Sequence, residues 1–259
     1  LWVSWGVMLL CAMVPASTSL TATRLAAAAH LTTLAALIVG HWGDAGSDSA
    51  GPVIALALAA ACTMVTFTAE VGNDYVQGSA YGAERRFLLR PPTAQSAVQV
   101  VMFAAWYSLT FVAVALLIAG SWISGGVTAV VAAACFALLP SRFHRFSRRW
   151  LVSVPAGLVV HDHLVLAETA MFTHADVRSI EVLGASRAST SSTDVPADLT
   201  GAPETHQSQS GVVVTLADFD TVVLAATRRG DVPRPIHVRS FVVRPSRVAS
   251  TVAALTRGD

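Results

Sequence analysis

The chain has 259 residues, 54% of them apolar and only 13% charged, with a mean hydropathy of +0.59, whereas a soluble domain is ordinarily about one quarter charged. Together with a formal net charge of +1 and three widely separated cysteines, this excludes a disordered chain, a disulfide-stapled secreted domain and a strongly basic nucleic-acid binder. What remains is an integral membrane protein whose first partner is the lipid bilayer, with no nucleic-acid partner expected.

The hydrocarbon core of a bilayer is about 30 Å thick and a helix rises about 1.5 Å per residue, so roughly 20 apolar residues are needed to cross it. Segments 1–23, 25–43, 49–69 and 91–141 contain no Asp, Glu, Lys or Arg. The last is long enough for two helices and divides at Gly120, Ser121, Gly125 and Gly126. An α-helical transmembrane bundle of about five spans is expected, at about 2–18, 24–42, 52–70, 97–119 and 123–139, within a transmembrane domain 1–141. The first span has the shortest apolar core, ending at Pro15 and a Ser/Thr-rich run. A cleaved signal peptide is the competing reading there, and the missing basic flank favours an uncleaved anchor. Cys11, Cys62 and Cys135 each fall inside a span and read as small apolar residues. His30, at mid-span, reads as a neutral imidazole hydrogen-bonded to a neighbouring helix.

Orientation follows from the arginines, because short loops rich in Lys and Arg stay on the cytoplasmic side. Arg24 lies between expected spans one and two, Arg85, Arg86 and Arg90 between spans three and four, and Arg142, Arg145, Arg148 and Arg149 after span five, while 41–51 and 120–126 hold none. A plasma-membrane protein with its N-terminus outside and its C-terminal domain cytoplasmic is therefore expected. Glu70, Asp74 and Glu84 follow span three. At membrane depth they would mark an ion path, but beside Arg85 and Arg86 the plainer reading is ion pairing at the water's edge.

Residues 142–149 form a basic juxtamembrane segment. Arg142, Arg145, Arg148 and Arg149, with Trp150, are candidates for contact with the membrane surface, where each arginine near an anionic leaflet contributes about 1 kcal/mol. The plainer reading is a positive-inside stop signal.

From 150 onward the pattern changes to short valine-rich runs broken by Pro, Gly and Asp, the signature of strands. Seven strands are expected, over 151–154, 158–161, 164–166, 178–183, 212–216, 222–226 and 237–243, with hairpin connections at 155–157 and 218–220. A closing helix over 246–257 has Ser246 as its N-cap. The Ser/Thr/Pro-rich segment 185–210 has no aromatic residue and reads as a flexible insertion in the cytoplasmic domain 150–259.

His161 and His163 stand at alternate strand positions and can share a metal, with His174 or Asp176 as a third ligand. No fourth ligand is evident, so ordinary polar-face histidines are the plainer reading. No Cys-x-x-Cys, Walker-type or His-Glu-x-x-His motif occurs, and no catalytic residue or cofactor is expected.

The run RRWLVSVPAGLVVHDHLVL at 148–166 resembles the membrane-proximal start of a bacterial pleckstrin-homology-like (PH-like) domain. It is also similar to a group of uncharacterised actinobacterial polytopic membrane proteins. The resemblance covers about 110 residues and implies a β-rich fold of seven strands and a C-terminal helix; another small β-barrel fits the strand count too. The absence of lysine among 17 basic residues agrees with a high-GC, actinobacterial source. The expected role is a non-enzymatic interaction or scaffolding protein, with a protein partner for the cytoplasmic domain and self-association as further expectations. A transporter or channel component is the alternative, and a membrane-embedded metal-dependent enzyme the third reading.

Overall fold

A computed structural model of the chain describes residues 1–41, 50–183, 197–199, 210–226 and 231–256. Two compact units are built from interleaved segments: 1–78 with 96–147, and 79–95 with 148–259.

The first unit is helical: α1 (Trp2–Met13), α2 (Ser17–His41), α3 (Ala50–Thr66), α4 (Ala69–Gln77), α5 (Thr93–Ile118) and α6 (Trp122–Ser147). Among the described residues three helices are long and apolar enough to cross a membrane, within α2, α5 and α6, and a fourth span results if α3 and α4 count as one pair bent by 56°. The expected first span, 2–18, is not one helix. It breaks after Met13 because Pro15 has no N–H to donate and disfavours helical geometry at Val14, which sits at φ −127°, ψ 77°. Consequently α2 begins at Ser17 and Arg24 lies within it, not in a loop. The Arg24 Nε donates to the Thr66 carbonyl at 2.9 Å, and its guanidinium stands 5.3 Å from the Phe67 ring centre. The expected third span, 52–70, breaks where the Thr68 hydroxyl caps α4 by accepting from the Val71 N–H. The fifth extends past its expected end, through Pro140 to Ser147, so Arg142 and Arg145 stand on helix.

Leu25, Trp106 and Leu139 form a buried centre between α2, α5 and α6. Polar groups there are paired: Trp106 Nε1 donates to the Ala132 carbonyl and the Tyr107 hydroxyl to that of Leu25, each at 2.9 Å. His30 Nδ1 lies 2.9 Å from the Ser4 hydroxyl of α1. Such bonds satisfy side chains that hydrocarbon cannot.

The second unit is β-rich. An antiparallel sheet runs β1 (Arg85–Leu88), β2 (Arg149–Val154), β3 (Gly157–Asp162), β4 (Ala170–Thr173). A second sheet contains β5 (Val177–Val182), β6 (Ala197–Asp198), β7 (Val212–Leu224) and β8 (Arg234–Val243) in the order β5-β7-β8-β6, with β6 parallel to β8. The chain closes with α7 (Val248–Leu255). Two seams join the sheets. At one, Arg90 N donates to the Arg244 carbonyl and Ser246 N to that of Leu88; at the other, Ala167 N donates to Val223 and Ala225 N to Val165. Leu151, Val160, Phe172, Val214, Phe241 and Val248 belong to the single core between them. At the β2–β3 turn only glycine serves: Gly157 has φ +152°, and a Cβ there would overlap the Phe172 carbonyl oxygen.

Several expectations change. The domain does not begin at 150, since 79–95 supplies β1. Residues 164–166 form a turn ending in a bridge between Leu166 and Leu224, and 170–173 is an unforeseen strand. The runs 212–216 and 222–226 are not a hairpin. They lie in one strand, β7, whose register against β8 shifts between Thr215 and Asp220, so 218–220 is an irregularity along β7. Within the insertion 185–210, Ala197–Asp198 pairs as β6 and Leu199 is buried, while 185–196 and 200–209 lie outside the described residues, as does 42–49. Ser246 is not the N-cap; Arg247 takes that position without a side-chain bond, and 257 falls outside the described residues.

Arg149 is the largest fully buried side chain, 1% exposed, and meets Asp162, 2% exposed. Its Nε and Nη2 engage the two carboxylate oxygens, Nε at 2.8 Å, and its Nη1 donates to the Arg90 carbonyl at 2.8 Å. The Leu164 N–H adds a bond to Asp162 Oδ1 at 3.1 Å. Removing one member of a buried pair leaves an uncompensated charge and costs about 3–5 kcal/mol, whereas an apolar replacement of both is often neutral. Asp162→Ala should therefore sharply lower the thermal midpoint of the full chain in detergent, followed by near-UV circular dichroism, and the double variant R149M/D162L should recover most of the loss.

Candidate functional site

Side chains alternate across a strand, so the first sheet has two chemically different faces. Phe87, Leu89, Leu151, Leu158 and Val160 pack into or against the core. Register pairs Arg86 with Val152, Leu88 with Trp150 and Trp150 with His161, which places Arg86, Trp150 and His161 on the opposite face.

There the rings form a stack. The Arg86 guanidinium stands 5.6 Å from the Trp150 ring centre, within cation–π range. Trp150 and His161 lie face to face at 4.7 Å and 13°, and His163 meets His161 edge-on at 4.2 Å. The turn before β1 aims Arg86, because Glu84 Oε2 accepts from Arg86 Nε at 3.1 Å and Nη2 at 2.8 Å. Those bonds, and one from the Tyr81 N–H, lower the Glu84 carboxyl below its usual range. On the far side His161 Nδ1 bonds the Thr169 hydroxyl at 3.0 Å, while its Nε2 is buried with no hydrogen-bond partner.

Burial first, then the neighbouring His163, Arg148 and Arg86, disfavours the imidazolium and pushes His161 down to about 4, against the opposing pull of Asp162. A neutral ring suits the stack, and Arg86 and Arg148 are the arginines whose charge reaches it. The arrangement suits a planar or anionic partner surface and contains no paired nucleophile and base.

The expected contact residues separate. Arg142, Arg145 and Arg148 are exposed. Arg149 is not a membrane-surface residue: strand alternation turns it into the core, where Asp162 holds it. Trp150 lies on β2, three residues beyond the end of α6, and is half-buried against His161. Among the histidines, His161 and His163 touch, but His174 follows Thr173, which pairs with Gly157 at the other end of β3. Four residues of strand separate Gly157 from His161, about 13 Å, so His174 does not complete a ligand set with them. Asp176 instead accepts from Thr173 N at 2.8 Å and Thr173 Oγ1 at 2.6 Å, which lowers its carboxyl. Among the described residues no group of three or more His, Cys, Asp or Glu is placed to hold a metal ion. Sequence reasoning expected Arg86 in an ion pair, which it makes with Glu84, but missed its place in the stack and missed Thr169; the run Arg-Phe-Leu-Leu at 86–89 was the available signal for a strand.

No protein-family model matches the chain, and no curated protein or solved structure does either.

The histidine makes acid sensitivity a signed expectation. In the unfolded chain His161 takes a proton near 6.5, in the folded chain only near 4, so the stability present above 6.5 is lost progressively as pH falls from 6.5 towards 4. The thermal midpoint of the wild-type protein should fall over that window more than that of His161→Phe. Equal slopes would remove His161 as the cause.

Proposed function

We propose that the protein is an integral plasma-membrane protein of non-enzymatic type, an interaction or scaffolding protein whose β-rich unit is a PH-like domain on the cytoplasmic side. The observation that carries this reading is the stack of Arg86, Trp150, His161 and His163 on the sheet face opposite the core. Aromatic and arginine anchors are what protein interfaces use, and here Arg86, Trp150 and His161 are half-buried beside exposed His163. Two packed sheets closed by a helix support the PH-like assignment. Arg85, Arg86, Arg90, Arg142, Arg145, Arg148 and Arg149 border helix ends of one parity, which supports the cytoplasmic placement. Exposed Arg142, Arg145 and Arg148 add attraction to an anionic leaflet, and self-association belongs to the same proposal. Transport is the second reading, favoured by the 56° break between α3 and α4, since discontinuous helices line the sites of many transporters.

The full chain, carrying a photoreactive residue in place of His163, should cross-link in its own membranes to one protein species, and Trp150→Ala should abolish that product. Cross-links to lipid alone would refute a protein partner, and a substrate flux in vesicles that Glu70→Ala abolishes would favour transport. An externally active reporter should work after Gly46 and be silent after Asp259.

A further inference from the structure

A cleft of about 710 Å³ runs through the helical unit. Its floor is one face of α2, where Ala22, Ala26 and Ala29 recur at helical spacing and leave open space that larger side chains would fill. Val3 and Val7 of α1, and Phe136 and Pro140 of α6, form the walls. From Thr18 to Thr33 the lining follows α2 for about 22 Å, more than the roughly 15 Å that is half of a bilayer's hydrocarbon core.

Four of the six Ser, Thr and His residues that line the cleft lie at one end, while Ser4 and Thr33 line it elsewhere. Thr18, Thr21, Ser141 and His144 line the cleft there, and Thr21 holds that end together, with its hydroxyl 3.3 Å from His144 Nδ1 and donating to Ser147 Oγ at 2.9 Å. Arg145, exposed and about 40° around α6 from Ser141, stands at the same end, and the first turn of α2 brings the positive end of its dipole to the same place. The cleft thus has a largely apolar body and, at one end, a polar mouth beside a positive charge. An acyl chain, one methylene wide and about half a bilayer long, fits along this face.

We propose that this cleft binds one anionic membrane phospholipid, its acyl chain along the alanine face of α2 and its phosphate at Thr18 and His144 with Arg145 beside it. The proposal uses no residue of the sheet-face stack and holds or fails independently of it.

Trp106 lines the cleft and serves as the reporter. The full chain is reconstituted in phosphatidylcholine vesicles that contain, at equal mole fraction, either phosphatidylglycerol or phosphatidylcholine with brominated chains, and quenching of Trp106 is read as the difference between wild type and Trp106→Phe. One cation–phosphate contact corresponds to about a fivefold preference, so brominated phosphatidylglycerol should quench at about one fifth of the concentration. Ala26→Phe fills the cleft and should abolish the quenching, with Ala29→Leu as a milder variant should the first fail to fold by circular dichroism. Arg145→Ala should erase the preference for phosphatidylglycerol while chain quenching persists. Equal quenching by both lipids means an ordinary annular lipid and overturns the proposal. So does quenching unchanged in folded Ala29→Leu, or a cross-linked dimer that this variant splits, which would make a second copy the occupant.

Discussion

A guanidinium and a carboxylate removed from water attract strongly but lose their hydration, and such a pair persists only where its remaining donors and acceptors are also satisfied. Arg149 and Asp162 meet that condition by drawing in backbone from two further places, the Arg90 carbonyl and the Leu164 N–H. The pair therefore binds β2, β3, the exit of β1 and the turn after β3 at one point. Its position also sets the register: a slip of one residue along β2 would expose Arg149 and bury Trp150. Every other feature of the first sheet inherits that choice.

With the inner face committed to the core and the ion pair, the outer face receives the alternate residues, Arg86, Trp150 and His161 beside Leu88, Val152 and Val159. Asp162 favours a charge on His161 but does not overcome burial and the neighbouring cations. The same pair that locks the sheet thus shapes the chemistry of the face opposite to it. The helical unit shows a related economy, since the small residues of α2 admit close packing on one side and leave a cleft on another.

The apolar runs were legible because hydrocarbon thickness imposes a length on them, and the valine-rich strands β2, β3 and β8 were legible from periodicity. Helix breaks were harder: Pro15 and Thr68 act through one missing or one added hydrogen bond, a signal small beside 20 apolar residues. Arg149 was misread because a run of arginines after an apolar helix has a sufficient explanation in membrane topology, and only the strand period distinguishes it from Arg148. Asp218 and Asp220 resemble turn residues, yet pairing with β8 carries the strand past them. The strand β1 was hidden by its neighbours, since four residues between two long apolar helices read as a loop until a partner about 60 residues away is known.

That separation bears on how the molecule is made. Synthesis proceeds at about 5–20 residues per second, so β1 leaves the ribosome roughly 3–12 seconds before β2 exists to pair with it. In that interval the chain must deliver α5 and α6 while Phe87 and Leu88 remain an open edge, the kind of segment that recruits wrong partners. Arg85, Arg86 and Arg90 flank it with like charge, a native example of gatekeeping. The arginines that later aim at a tryptophan and border a seam first keep a waiting strand soluble.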